Sequence, residues 1–257
     1  MFEIIKYRYL LAFLVRKELR VKYRNTLLGY FWSLLEPIGL MIIYSIVFSF
    51  IAKFDMDNYP LFLISGLIPW MFVNHSVVRG TKILALNATL IKKVYFPRQL
   101  FPLTVVSTNL VNLLISLALI TVFSLFVGAF HFTSVLILPL AIVLQFFLVL
   151  GVVLLLSAIS VYYRDVEFVS SLGIRGWMYL SPIIYPLHII PGQYHNLYML
   201  NPMATIITIY HNVFYGGEGI EMVSIQWIGY TIIFIVVLLL ISWKLFDRMS
   251  KRMGEVI

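Results

Sequence analysis

With 257 residues, 61% of them hydrophobic, and a mean hydropathy of +0.97, this chain carries far more apolar surface than a water-soluble domain can bury. Its net charge of +8 sits between long apolar runs, beside bilayer entry points, so anionic lipid headgroups rather than nucleic acid are the expected counter-charge. The absence of Cys excludes disulfides, thiolate metal sites and cysteine catalysis.

Residues 1–32 are expected to form an amphipathic helix lying in the membrane interface. At about 100° per residue, Lys6, Arg16, Lys17, Arg20 and Arg24 share one wedge of the helical wheel, with Ile4, Leu11, Leu14 and Val15 broadly opposite. A plain positive-inside anchor is the competing reading. Residues 1–14 are broken by Lys6 and Arg8 and lack a small-residue cleavage site, so they do not read as a cleavable signal.

A span needs about 20 mostly apolar residues, and on that measure residues 33–257 divide into six: 33–52, 60–78, 102–130, 135–161, 168–187 and 225–245. The fold class expected is an all-α membrane protein. Between spans 2 and 3, segment 79–101 holds Arg79, Lys82, Lys92, Lys93 and Arg98 without one acidic residue. It is too long for a simple connection, and ALNATLIKKVYF within it can form a short helix ended by Pro97. Span 5 is interrupted by Gly173, Gly176, Pro182 and Pro186. Every Lys and Arg except Lys53 and Arg175 falls on one side of this map, which six spans make the cytoplasmic side, with both termini inside.

Segment 188–224 has no Lys or Arg and contains Pro191, Gly192, Pro202, Gly216 and Gly217. Its stretch 197–215 is apolar but too broken to span. A re-entrant pair of half-helices capping the outer face is expected, and an ordinary extracytoplasmic loop is the alternative. Arg175, inside span 5, must face a cavity or a partner, or else snorkel to an interface. Asn109 and Asn112 on one face of span 3, and Gln145 in span 4, have the character of interhelical hydrogen-bonding residues. Asp55 and Asp57 have a D-x-D spacing known from metal-dependent glycosyltransferases, but no supporting carboxylate or His cluster surrounds them, so they read as a solvated turn. The five histidines show no i, i+4 pairing, and no phosphate-cradling G-x-x-x-x-G-K-[ST] occurs.

Six stretches, in order, carry a family likeness: KYRNTLLGYFWSLLEP at 22–37, LFLISGLIPWMF at 61–72, KKVYFPRQLFP at 92–102, YYRDV at 162–166, SPIIYP at 181–186 and LNPMA at 200–204. Together they resemble the permease subunits of ATP-binding-cassette polysaccharide exporters, of the Wzm and teichoic-acid type. The resemblance implies a six-span permease that pairs with a second copy of itself and with two separate ATPase subunits, its pore on the dimer axis. ATP and Mg would be bound by the partner, with no cofactor in this chain. Residues 1–32 would be the interfacial helix, 79–101 the coupling loop and 188–224 the periplasmic gate segment.

The cargo implied is a lipid-linked polysaccharide, such as an O-antigen on a polyprenyl pyrophosphate, moved across the bacterial inner membrane. On that basis Ala88, Leu90, Lys92, Lys93 and Arg98, with Arg164 and Asp165, are expected to contact the ATPase. Tyr44, Phe48, Trp177 and Tyr185 are expected to line the channel. Arg20, Lys22 and Arg24 sit where a cytoplasmic-leaflet lipid arrives, and Arg takes phosphate in bidentate hydrogen bonds while Lys adds a point charge. Bulk attraction to anionic lipid and a purely topological role are the alternatives for these three. A membrane-bound polyprenyl-linked glycosyltransferase or polymerase is the competing function, and a passive channel a third.

Overall fold

A helix that is apolar all round has no face to give to water and must be enclosed. That is the situation of residues 61–73 within the helix Tyr59–Leu86, every one of them buried, and the rest of the molecule is arranged around it. The computed structural model describes residues 6–24, 26, 29–51, 56, 58–93, 96–130, 134–216, 223–251 and 253. Among them there is helix and no strand. In chain order the helices are α1 (Arg8–Tyr23), α2 (Trp32–Ser45, continued as a π-helical turn through Ile46–Ile51), α3 (Tyr59–Leu86) and α4 (Ala88–Lys93). There follow α5 (Leu100–Val127), α6 (Leu138–Ser160), α7 (Val166–Tyr179), α8 (Gly192–Met199), α9 (Pro202–Phe214) and α10 (Ile225–Ser250).

Among the described residues, four helices are long and apolar enough to cross a membrane: α3, α5, α6 with its leading 3-10 turn from Ser134, and α10. The other two expected spans are shorter. Span 1 corresponds to the 14 residues of α2 and the six of its π continuation. Span 5 differs from expectation: α7 begins at Val166 but stops at Tyr179, well short of 187. Its 14 residues reach about 21 Å, against a hydrocarbon core of about 30 Å. Pro182 explains the early stop, since it removes a donor and pushes Ser181 out of the helical region, and Pro186 keeps the following turn from resuming a helix. Segment 79–101 also differs. Helix α3 runs unbroken through Leu86, so Arg79 and Lys82 are exposed positions on a rod whose Val77, Ile83 and Leu84 are buried. Only 87–99 is connection. The expected short helix in it is α4, which Ile91 anchors.

Within α3, 83% of the most apolar window is buried, against 56% for α6, 33% for α5 and 22% for α10. It packs on α2, α5, α6, α7 and α9, while α10 packs on α6 and α1 on α5. Such enclosure demands small residues at close crossings. A Cβ on Gly80 would lie 2.3 Å from Val153 Cγ1 of α6. One on Gly66 would meet His211 Cε1 of α9 at 3.1 Å. It also demands internal partners for every polar group. Gln145, fully buried on α6, donates from Nε2 to the Pro69 carbonyl of α3 at 2.8 Å and accepts from the Tyr210 hydroxyl of α9 at 2.8 Å. Asn109 donates to Ser76 Oγ at 3.2 Å, so both residues act as the interhelical hydrogen-bonders their sequence position implied.

The basic segments collect at one end of the bundle. Arg79 pairs with Glu18 of α1, and Lys82 with Glu167 of α7 at 3.3 Å. Arg98 donates to the Ser250 carbonyl and Gln99 to Asp247, both at the end of α10, and the Tyr162 hydroxyl donates to the Met249 carbonyl at 2.8 Å. At the opposite end the Tyr59 hydroxyl donates to the Ile184 carbonyl at 2.7 Å. Substituting Gly80→Ala is expected to force α3 from α6 and to cost about 1–3 kcal/mol. A thermal melt of the solubilised protein checks this, and Val153→Ala in the same chain should recover most of the loss.

Candidate functional site

Three surfaces carry the residues the sequence singled out. The first is the basic corner. Lys92 and Lys93 of α4 are exposed, and so are Arg164 and Asp165 in the turn before α7. The Asp165 carbonyl accepts from the amides of Phe168 and Val169, so this residue also starts α7. Ala88 is half-buried, and Leu90 is turned onto the core. Arg98 is occupied by the Ser250 carbonyl. The exposed part of the corner is therefore Lys92, Lys93, Arg164 and Asp165, with Thr89.

The second surface is formed by α2 and α7. Tyr44 and Phe48 are half-buried with their rings 6.3 Å apart, and the Tyr44 hydroxyl interacts with Tyr179 across the α2–α7 boundary. Ile42, Ile43 and Ile46 on α2 are exposed, as are Phe168, Val169, Leu172 and Tyr179 on α7. Arg175 is exposed on the same helix. Trp177 and Tyr185 have structural commitments. Trp177 Nε1 donates to Asn201 Oδ1 at 2.9 Å, and its ring meets Trp70 edge-on at 6.0 Å. The Tyr185 hydroxyl donates to the Tyr179 carbonyl at 2.6 Å and accepts from Tyr198 at 3.2 Å.

Holding this surface is a residue that sequence reasoning passed over except as part of a motif. Asn201 caps α9 by accepting from the Met203 amide at 3.0 Å, and it gives its Nδ2 to the Leu180 carbonyl at 2.8 Å and to Ser181 Oγ at 3.0 Å. One side chain thus joins the end of α7 to the start of α9. The signal for it was present, since Asn followed by Pro is a helix start. His211 makes a second tie, with Nδ1 2.7 Å from Ser65 Oγ of α3 and Nε2 2.8 Å from the Pro182 carbonyl. Its ring stacks on Phe62 at 4.1 Å.

The third surface is a cleft between α1, α2, α3 and α5, in two lobes of about 450 and 420 Å³ that share Lys22, Glu36, His75 and Asn109. His75 Nε2 lies 3.3 Å from the Glu36 carboxylate. All three cations expected to meet a headgroup are exposed; Lys22 lines this cleft, and Arg20 and Arg24 stand outside its lining. The Lys22 ammonium sits 5.5 Å from the Tyr23 ring. Burial against the cleft wall holds its pKa below the usual lysine range, Glu36 acts in the opposite sense, and Arg79 adds to the lowering. Asp55 and Asp57 lie outside the described residues. Among the described residues no three His, Cys, Asp or Glu side chains converge as a metal site.

The family described as ABC-2 type transporter matches residues 9–215, from α1 past the end of α9. This chain belongs to that family. Its relatives include the O-antigen export system permease protein RfbA of Myxococcus xanthus, 34% identical over 215 residues and 83% of each chain. A Klebsiella pneumoniae protein of the same name is 30% identical over 96% of this chain and 95% of its own. The polysialic acid transport protein KpsM of Escherichia coli is 27% identical over 92% of each. The ABC-2 match takes in the basic corner, the α2–α7 surface, the cleft and the Asn201 junction, and leaves α10 beyond it.

Replacing Asn201 by Ala removes a cap worth about 1 kcal/mol and leaves Trp177 Nε1 without its acceptor, at about 1–3 kcal/mol more. Asn201→Asp keeps both acceptor roles and should lose less. Comparing the melting midpoints of the two variants checks the assignment, and equal losses would contradict it.

Proposed function

We propose that this chain is the permease subunit of an ATP-binding-cassette exporter that carries a lipid-linked polysaccharide, O-antigen-like and attached to polyprenyl pyrophosphate, out across the inner membrane. The observation that carries this reading is the family match over α1 to α9, together with near-full-length similarity to relatives named as O-antigen export permeases. ATP hydrolysis then belongs to a separate ATPase, and the chain itself is not an enzyme. Family membership leaves the glycosyltransferase or polymerase alternative without support.

In this reading the chain spans six times, with α2 and the α7 region completing the set begun by the four long helices. Residues 1–32 lie in the interface, both termini are cytoplasmic, and 188–224 guards the outer side. Gathering of the cationic segments at one end of the bundle supports that orientation, because Lys and Arg are retained on the cytoplasmic side. Two copies pair, each with one ATPase. The exposed apolar faces of α2 and α7 supply the surface for the second copy, with Tyr44, Phe48, Trp177 and Tyr185 along the pathway. Segment 88–93 and the Arg164–Asp165 turn receive the ATPase, supported by their exposure at the corner where α3 ends. Arg20, Lys22 and Arg24 meet the carrier's pyrophosphate on arrival.

Labelling single cysteines in this cysteine-free chain tests the orientation. Lys17, Gln99 and Lys251 should react only from the cytoplasm and Gln193 only from outside; cytoplasmic labelling at Gln193 would break the six-span arrangement. Coupling is tested by replacing 88–93 with a Gly/Ser linker, which should abolish ATPase co-purification and polymer export while leaving membrane insertion intact. Export itself is read from cells lacking the gene, where lipid-linked polymer should accumulate inside.

A further inference from the structure

The geometry points to a lipid-phosphate site in the cleft between α1, α2, α3 and α5, where the Asn112 amide and the Lys22 ammonium take the phosphate oxygens and an apolar chain lies along Trp32, Leu35, Phe72 and Leu113. Asn112, 8% exposed, lines the cleft from α5. Its Oδ1 accepts from the Tyr23 hydroxyl of α1 at 2.9 Å, which fixes the amide plane. Its Nδ2, with two protons to give, has no partner among the described residues. A buried donor left unmade is costly, so an amide held this firmly and left open calls for an acceptor from outside the chain.

The charge balance in the cleft agrees with an anionic acceptor. Glu18 is engaged by Arg79; Glu36 contacts His75 and also acts on Lys22, so the cleft sets its two carboxylates against Arg79, Lys22 and Lys82 and one cation remains in excess. Lys82 reaches out of the cleft to Glu167. Among the described residues, Lys22 is the lining cation with no carboxylate within ion-pair reach, and it stands beside Tyr23, the partner of Asn112. A phosphate bridging Lys22 and Asn112 would supply the oxygen that one lacks and the charge that the other lacks.

The shape selects a lipid over a free ion. The lobe that holds Asn112 and Lys22 is also walled by Trp32, Leu35, Ile68, Met71, Phe72 and Leu113, so polar groups and an apolar wall face the same cavity. Trp32 and Leu35 are exposed at its edge, on a helix of the membrane domain. Each lobe falls in the range of about 300–1,000 Å³ typical of small-molecule sites. Two lipids of the cytoplasmic leaflet share the needed chemistry: a bulk phospholipid and the phosphate-bearing polyprenyl carrier. Capture of a bulk phospholipid would stand whether or not the chain exports polysaccharide, so the site does not depend on the export reading.

The test uses the full-length protein, purified with its ATPase where that co-purifies and stripped of lipid. Binding is measured by native mass spectrometry with phosphatidylglycerol, undecaprenyl pyrophosphate and diacylglycerol, the last lacking phosphate. The variants are Asn112→Asp, which keeps the acceptor for Tyr23 and replaces the donor, and Lys22→Gln, which lies outside the spans and tests the site if the first fails to fold. Arg16→Gln removes a cation elsewhere on α1. The wild type should retain one of the two phosphate lipids over diacylglycerol, and each cleft variant should weaken that retention about tenfold or more. Arg16→Gln should leave it unchanged. Preference for phosphatidylglycerol identifies a resident lipid, and preference for the pyrophosphate identifies the carrier. Equal retention of diacylglycerol, or retention unaltered in both cleft variants, overturns the site.

Discussion

Inside a bilayer-sized bundle, a polar group that finds no partner within the protein has no bulk water to turn to, and this constraint bears hardest on α3. The helix is enclosed by five others, so each of its polar atoms must be met by a specific neighbour. Ser65 is met by His211, Ser76 by Asn109, the Thr81 carbonyl by Ser160 and the Pro69 carbonyl by Gln145. These bonds come from α9, α5 and α6, and each fixes the height and rotation of one helix against the central one. Apolar packing alone would tolerate a slide by a turn. The polar pairs do not, and so they set the register of the bundle.

The same rod connects the two functional ends. Near its start, Tyr59 and Ser65 hold the 182–184 turn and α9; near its close, Arg79 and Lys82 hold α1 and α7. Helix α3 has Pro69 inside it, yet the Gln145 amide meets the Pro69 carbonyl and Trp70 and Met71 remain buried around it. A displacement imposed at the basic corner is therefore not absorbed by loose loops along the way. It reaches a helix that is packed for nearly its whole length.

Much of this was legible from the chain. The long apolar runs gave α3, α5, α6 and α10 because nothing competes with bilayer burial over 20 residues, and the buried amides announced themselves by their scarcity. The errors fall where tertiary packing overrides a local signal. Arg79 and Lys82 look like loop residues in one dimension, but on a helix they occupy the face that Glu18 and Glu167 approach. Pro182 and Pro186 were visible as interruptions, though the power of Pro182 to end α7 at Tyr179 depends on Asn201 receiving the freed chain end. Lys22 lies off the basic wedge of α1 that holds Arg20 and Arg24. That offset places it in the cleft lining, on the side where Tyr23 reaches Asn112, while Arg20 and Arg24 stay outside. The cleft itself has no sequence signature, because its walls come from four helices separated by up to about ninety residues, as the Tyr23–Asn112 bond spans.

The two ends of α7 are restrained with different strength, and the magnitudes decide which gives first. At its start, Lys82 and Glu167 form a partly exposed ion pair, a class worth about 0.2–1 kcal/mol. At its finish, Asn201 takes the Trp177 indole and gives two hydrogen bonds to the Leu180–Ser181 turn, while Trp177 packs on Trp70. The Trp177 and Ser181 bonds are part-buried and worth about 0.5–1.5 kcal/mol each, the Leu180 bond is exposed and worth less, and the aromatic contact adds about as much again as one of the first two. The start of α7 adjoins Arg164 and Asp165, at the basic corner, and the finish adjoins Tyr185 and α9. A push at the corner would thus meet the weaker tie first, with Ser170 and Ile174 still buried along the middle of α7. The face of α7 between those two ties, with Leu172 and Arg175, is exposed.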